Sequence, residues 1–371
     1  ADTAKTDSLL KDMSSVQLSI DQLSGKNLSY LPRLNFSLDD AEKELQQHFS
    51  KDKVFDRNTE IIIICLYSTL IISGVISNFL ISGIILRNAQ ICSPRYPYVI
   101  NLNIADLIMC VFCIPFTLVA VIRKRWILGE ILCKFVPFVQ GSTVFLSSAT
   151  VSVIAVDRHK NVLNAFPAGR KKKNKGVMCS IISVWLISFV LSSPISYAQT
   201  IKNVGLPGIY TYEKCIESWP WTKAKGIYTV ITVLAQFLIP ALVLFITHLR
   251  IESHLNYELR RNRRATIVLL TITIVFSLTW LPWNILNLIA DFHPTSMSPQ
   301  NLYLSFVICH IIAMTSATSN PILYGWLNSN IRREILIVKE RLSSAISVQK
   351  RITSGQNDSV ETMRCKNMNL Q

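Results

Sequence analysis

Seven separate runs of apolar residues, each long enough to cross a bilayer, constrain this chain more than any other feature. They read as Glu60–Leu86, Pro97–Ile122, Leu132–Val156, Val177–Ala198, Ile227–His248, Ala265–Ala290 and Leu302–Trp326. A hydrocarbon core takes about 20 helical residues to span, and a helix satisfies its own backbone polar groups there. The fold class that follows is an all-α membrane protein, a bundle of seven transmembrane helices. Composition agrees, since 50% of the residues are hydrophobic and 16% charged, where a soluble domain carries about 25% charged residues. The net charge of +15 does not point to nucleic acid. Lys and Arg sit mostly in loops beside the apolar runs, where they report topology.

Those bases accumulate in Arg170-Lys171-Lys172-Lys173, in Arg260-Arg261-Asn262-Arg263-Arg264 and in Arg332-Arg333. All three fall on one side of the bundle, which the positive-inside rule makes cytoplasmic. An odd number of spans then puts the N-terminus outside and the C-terminus inside, at the plasma membrane. Residues 1–58 form an extracellular tail with two glycosylation sequons, at Asn27 and Asn35, which indicates the same orientation independently. Residues 59–327 make up the bundle. In 328–343, apolar residues from Ile331 to Leu342 recur at helical spacing with bases between them, the pattern of a short amphipathic interfacial helix. Residues 344–371 read as a disordered cytoplasmic tail. Of nine cysteines, Cys133 and Cys215 flank spans on the outer, oxidising side and are the pair placed to form a disulfide. Cys65, Cys110, Cys113, Cys179 and Cys309 lie within apolar runs and read as small packing residues, and no zinc site is expected.

Polar groups inside a bilayer are costly and mark function. Asp106 lies in the middle of the second span, with Asn78 in the first, Ser147 in the third, and Ser316 and Asn320 in the seventh. Four helices offering oxygen ligands suit a small cation such as sodium; the other reading is a hydrogen-bonded packing network without an ion. Asp157-Arg158-His159 closes the third span. It reads either as a surface pair worth little or as a switch in which Arg158 exchanges partners. Pro240, Pro282 and Pro321 break helix ladders, and Trp280 and Tyr324 set large aromatics beside two of these breaks.

Taken in order, Asn78, Asp106, Cys133, Asp157-Arg158, Trp185, Pro240, Trp280-x-Pro282 and Asn320-Pro321-x-x-Tyr324 resemble the landmarks of rhodopsin-like G-protein-coupled receptors. The resemblance covers nearly all of residues 60–342. Within that class the chain resembles neuropeptide Y and invertebrate neuropeptide F receptors. The residues that carry this are Ile114-Pro115-Phe116-Thr117, Trp126-Ile127-Leu128-Gly129-Glu130, Cys133-Lys134, Pro137-Phe138-Val139-Gln140, His159, Asn287, Asp291, His310 and Tyr324-Gly325-Trp326-Leu327-Asn328.

The resemblance implies a receptor for an amidated neuropeptide that signals to a heterotrimeric G protein, expected to be of the inhibitory class. Gln140 would bond the ligand's C-terminal amide, and Thr117, Gln236, Asn287 and His310 would line the same cavity. Asp291 would pair with an Arg near the peptide's C-terminus. Asp157, Arg158, Trp280, Pro282, Asn320, Pro321 and Tyr324 would form the activation switch, with sodium at Asp106, Ser147, Ser316 and Asn320. The chain also departs from the family. Lys124, between Arg123 and Arg125, stands where the family often has an acid, and His248 where Tyr is usual. Asn262 replaces a Glu that locks Arg158 in some relatives, and Ala165 replaces a proline. An enzyme is disfavoured, because no Ser-His-Asp order, HExxH or Gly-rich phosphate loop occurs. A transporter draws only on Asp106. A receptor for another RF-amide peptide, of the prolactin-releasing-peptide kind, is the nearer alternative.

Overall fold

The structure is a computed structural model that describes residues 54–87, 96–163, 175–206, 210–221, 223–253, 260–292, 299–327 and 331–341, with 343, 344 and 347. The sequons at Asn27 and Asn35 and most of the tail after 343 lie outside the described residues. Two compact units are distinguished, residues 1–51 with 206–210 and residues 52–205 with 211–371; the described residues belong almost wholly to the second.

Among the described residues, seven helices are long and apolar enough to cross a membrane. They are Arg57–Arg87, Tyr96–Ile122, Gly129–Asp157, Lys175–Ala198, Ala224–Thr247, Thr271–Phe292 and Asn301–Leu323. Their outward residues are apolar, for example Ile72, Ile76 and Phe79 on the first span and Leu186 and Val190 on the fourth. Water would penalise such a surface and lipid does not. The third span is the most buried of the seven, and its Val144, Leu146, Val151 and Ile154 supply the centre of the packing. The first and second spans approach closely at Gly74, where an added Cβ would meet the Cys110 sulfur. Residues 331–341 continue as a helix after the seventh span, with Ile331 turned into the core.

One feature is not all-α. Between the fourth and fifth spans, strands β1 (Gln199–Leu206) and β2 (Tyr210–Glu217) pair as a two-stranded sheet. The seven-span pattern leaves this stretch as a connection between spans, with no element of its own. Its Tyr210, Tyr212 and Ile216 favour extended backbone, but a hairpin this short depends on outside support. The Cys133–Cys215 disulfide provides that support by tying β2 to the start of the third span, with Cα atoms 5.7 Å apart.

Prolines shape the bundle through the hydrogen bonds they cannot make. A proline has no N–H for the carbonyl four residues before it. For Pro240 that carbonyl belongs to Gln236, and Ser148 of the third span donates to it instead, at 2.8 Å. For Pro321 it belongs to Ala317, and Asn78 of the first span donates to it at 2.9 Å. Wider π-type turns at Met109–Cys113 and Leu234–Leu238 immediately precede Pro115 and Pro240 in the same way, loosening the ladder before each ring. The carbonyls freed by Pro240 and Pro321 are thereby handed to partners, which a buried backbone polar group requires. A further set ties three spans together: Trp185 Nε1 donates to Asn101 Oδ1 at 2.8 Å, and Asn101 Nδ2 donates to Thr150 at 3.1 Å.

Candidate functional site

At the disulfide end the spans part around a cavity of about 360 Å³, within the size range of small-ligand sites. Its walls are largely aromatic and aliphatic, including Phe116, Val136, Phe145, Trp280 and Trp283. Thr117, Gln140, Gln236, Asn287 and His310 all line it.

Three of these form a connected polar cluster. Gln140 Nε2 lies 3.1 Å from His310 Nε2, and the Thr117 hydroxyl donates to Gln140 Oε1 at 3.4 Å. On the far side of the ring, His310 Nδ1 lies 2.8 Å from the Tyr67 hydroxyl. With the Gln140 amide N–H directed at His310, the ring carries its proton on Nδ1 and donates to Tyr67. His310 is 4% exposed and Tyr67 fully buried, and Trp283 meets the imidazole edge-to-face at 5.3 Å. The ring that orients Gln140 is therefore itself fixed. A primary amide offers two N–H donors and an oxygen with two lone pairs. Gln140 uses one donor on His310 and one lone pair toward Thr117, so one donor and one acceptor remain. Tyr67 was not singled out in the sequence, because one aromatic in an apolar run is indistinguishable there from core packing.

Asp291 stands apart from the other five. It is not a lining residue; its side chain is 3% exposed and already engaged, with Lys225 Nζ at 3.2 Å and the Thr229 hydroxyl donating at 2.7 Å. Lys225 also reaches Glu217 at 3.4 Å, and Lys225, Thr229 and Glu217 do line the cavity. The resemblance implies an Asp291 that meets a ligand arginine directly. The structure sets it one layer back, behind a lysine that no motif marks. Asn287 faces the cavity and turns its own amide onto the Trp283 carbonyl at 2.8 Å.

The family described as "7 transmembrane receptor (rhodopsin family)" matches residues 77–324, more than half of the chain. The chain belongs to the rhodopsin family of seven-transmembrane receptors. The receptor is 29% identical over 316 residues to the neuropeptide F receptor of Drosophila melanogaster, covering 78% of this chain and 64% of that protein. It is 30% identical over 299 residues to the Mus musculus neuropeptide Y receptor type 6, covering 75% and 80%. To the Bos taurus neuropeptide Y receptor type 2 it is 30% identical over 322 residues, covering 83% and 81%.

Below the cavity the receptor buries a second polar group of residues. Asn320 Nδ2 donates to Asp106 Oδ2 at 3.1 Å. Ser316 accepts from Trp280 Nε1 at 3.1 Å, while Ser147 donates to the Thr143 carbonyl at 2.9 Å. Of the four residues expected around a cation, only Asp106 and Asn320 are joined directly in the hydrogen bonds described here. Trp280 connects the two levels, since it lines the cavity and bonds Ser316. Pro282 lies inside the sixth-span helix and Pro321 inside the seventh. Asp157 is half-buried at the far end of the third span. The side chains of Arg158, Tyr324, His248 and Asn262 lie outside the described residues.

Proposed function

We propose that this receptor binds an amidated neuropeptide of the neuropeptide F/Y kind from outside the cell and transmits that binding to a heterotrimeric G protein of the inhibitory class. The observation that carries the reading is Gln140, held by His310 and Thr117 with one donor and one acceptor to spare. A carboxamide presents the complementary acceptor and donor, so two amides can pair reciprocally. A free carboxylate has no donor and would set oxygen against Gln140 Oε1. The cavity's aromatic walls suit an aromatic residue beside that amide. Sequence similarity to neuropeptide F and Y receptors supports the ligand class. The basic loops on the opposite side, in the sequence alone, support the outside placement of the N-terminus and of the cavity.

Asp291 is the proposed partner of a ligand arginine. Carboxylate and guanidinium pair through two charge-assisted bonds, which a lysine cannot match. The incoming Arg would take Asp291 from Lys225 and leave Lys225 to Glu217. For Asp106 we propose a sodium ion. The residues fit a hard cation that takes oxygen ligands: a buried carboxylate with one described donor, two serine hydroxyls, and Asn78 Oδ1, buried without a donor among the described residues. An ion there would favour one packing of the second, third and seventh spans. Movement of Trp280 against Ser316 would couple that packing to the ligand.

Screening amidated neuropeptides against cells expressing the receptor, with inhibition of cyclic-AMP synthesis as the readout, tests the reading. Activation by amidated neuropeptide F- or Y-like peptides is expected. Activation confined to other RF-amide peptides would move the ligand to that class. Solute flux without any G-protein response would contradict the receptor mechanism.

A further inference from the structure

The mouth of the cavity is electrically divided. On the side of the fifth and sixth spans, Glu217 and Asp291 are both engaged by Lys225. On the side of the second and seventh spans the lining carries Arg123, Lys124, Arg125 and Lys214, and Glu217 is the only carboxylate among the described lining residues. Two tethers pin Lys214 to that side. The Trp126 N–H donates to the Glu213 carbonyl at 2.8 Å, fixing β2 against the loop that follows the second span. The Lys214 ammonium also lies 5.4 Å from the centre of the Tyr303 ring. Tyr303 is held in turn, donating its hydroxyl to the Val121 carbonyl at 2.9 Å and stacking on Phe55 at 5.7 Å.

Lys214 is thus a half-buried cation in the cavity wall whose described partner is an aromatic face. Burial pushes its ammonium below the ordinary lysine value, with no carboxylate among the described residues acting against the shift. Desolvation without a counter-charge is the condition in which an arriving anion gains most. Two residues before Trp126, Lys124 adds positive charge at the same rim.

We propose that Lys214, with the Arg123-Lys124-Arg125 run, forms a subsite for an acidic side chain of the peptide, upstream of its basic, amidated C-terminus. This rests on the peptide reading above for its ligand class. The preferred ligand is then dipolar, with its base directed to Asp291 and its acid to Lys214. The division of charge sets its orientation and excludes uniformly basic peptides, because like charges brought together at such a rim are costly.

The test uses the full-length receptor in lipid nanodiscs and a synthetic library of random twelve-residue peptides, each in amide and free-acid form. The receptor should enrich Asp or Glu at one upstream position by about tenfold, a difference of about 1.4 kcal/mol. Lys214→Arg should keep that preference and Lys214→Gln should lose it. Lys214→Glu should reverse it, toward Lys or Arg at the same position, a new preference that a misfolded receptor cannot produce. Should the Lys214 variants fail to reach the membrane, Lys124→Glu carries the same reversal test. No acid enrichment, or acid enrichment unchanged by Lys214→Glu, overturns the subsite. Acid enrichment equal in amide and free-acid peptides keeps the subsite and removes the amide reading. Capture of no peptide overturns both.

Discussion

Two buried polar clusters in this receptor are built from similar residues and end in different surroundings. Tyr67, His310, Gln140 and Thr117 form a chain whose last members face the cavity. Asn78, Asp106, Asn320 and Ser316 are buried between helices, and their bonds go to backbone, to one another or, for Ser316, to Trp280. Both gather polar groups inside a membrane, where such groups need partners. The upper cluster keeps spare hydrogen-bonding capacity that a ligand can use. The lower one spends its amide donors within the bundle, Asn78 Nδ2 closing the carbonyl that Pro321 leaves open, and keeps only acceptor oxygens spare. The same chemistry therefore recognises where the bundle leaves space and fastens where it does not.

The largest expected effect breaks the two clusters apart. Gln140→Leu strands the ligand amide, while His310, which lines the cavity, can turn to water in the free receptor. Each buried group left unsatisfied costs about 1–3 kcal/mol, so agonist affinity should fall by about a hundredfold, with little change in thermal stability. Asn78→Ala should do the reverse, lowering the melting temperature of purified receptor because the Ala317 carbonyl loses its donor. Equal effects of both variants on binding and on melting would remove the distinction.

The charged side of the mouth comes next in size. Truncating one member of a buried charge pair costs about 2–5 kcal/mol, so Asp291→Ala should weaken an Arg-bearing amidated peptide by roughly thirtyfold or more. Lys225→Met should act in the opposite direction, a gain of about fivefold, because Asp291 no longer has to be released. In competition binding, a loss from Lys225→Met would mean that lysine serves the ligand directly. Replacing the peptide's Arg by citrulline tests the same contact. The loss from citrulline and the loss from Asp291→Ala should combine to much less than their sum.

The bundle was legible in the sequence because seven apolar runs and basic loops are properties of contiguous segments. Five of the six residues expected at the ligand, Thr117, Gln140, Gln236, Asn287 and His310, line one cavity, and all but Gln236 belong to the positions that carry the family resemblance. What escaped depends on contacts between distant segments. Lys225 lies 66 residues from Asp291 at the start of a helix and belongs to no motif, so its charge looked like any span boundary. Tyr303 and Lys214 meet across the seventh span and the hairpin, and the hairpin itself depends on a disulfide and a neighbouring loop. The carbonyls freed by Pro240 and Pro321 could be inferred, but not the side chains that close them.

The smallest expected effect concerns the lower cluster. If sodium favours a packing that agonist disfavours, linkage makes the two mutually inhibitory. Replacing N-methyl-glucamine by sodium should lower agonist affinity a few-fold, on the order of the weaker allosteric couplings. Asp106→Asn should abolish that dependence while leaving the cavity chemistry intact. Agonist affinity indifferent to sodium in the unaltered receptor would leave Asp106 and Asn320 as a packing pair without an ion.

The central claim is that Gln140 reads an amide, and the same peptide measured as C-terminal amide and as free acid tests it most directly. Competition binding on membranes should favour the amide by at least about thirtyfold, since the acid loses a donor and sets two oxygens together. Gln140→Leu should shrink that ratio toward unity. Equal affinity of the two forms in the unaltered receptor, or a ratio that Gln140→Leu leaves unchanged, would contradict the account.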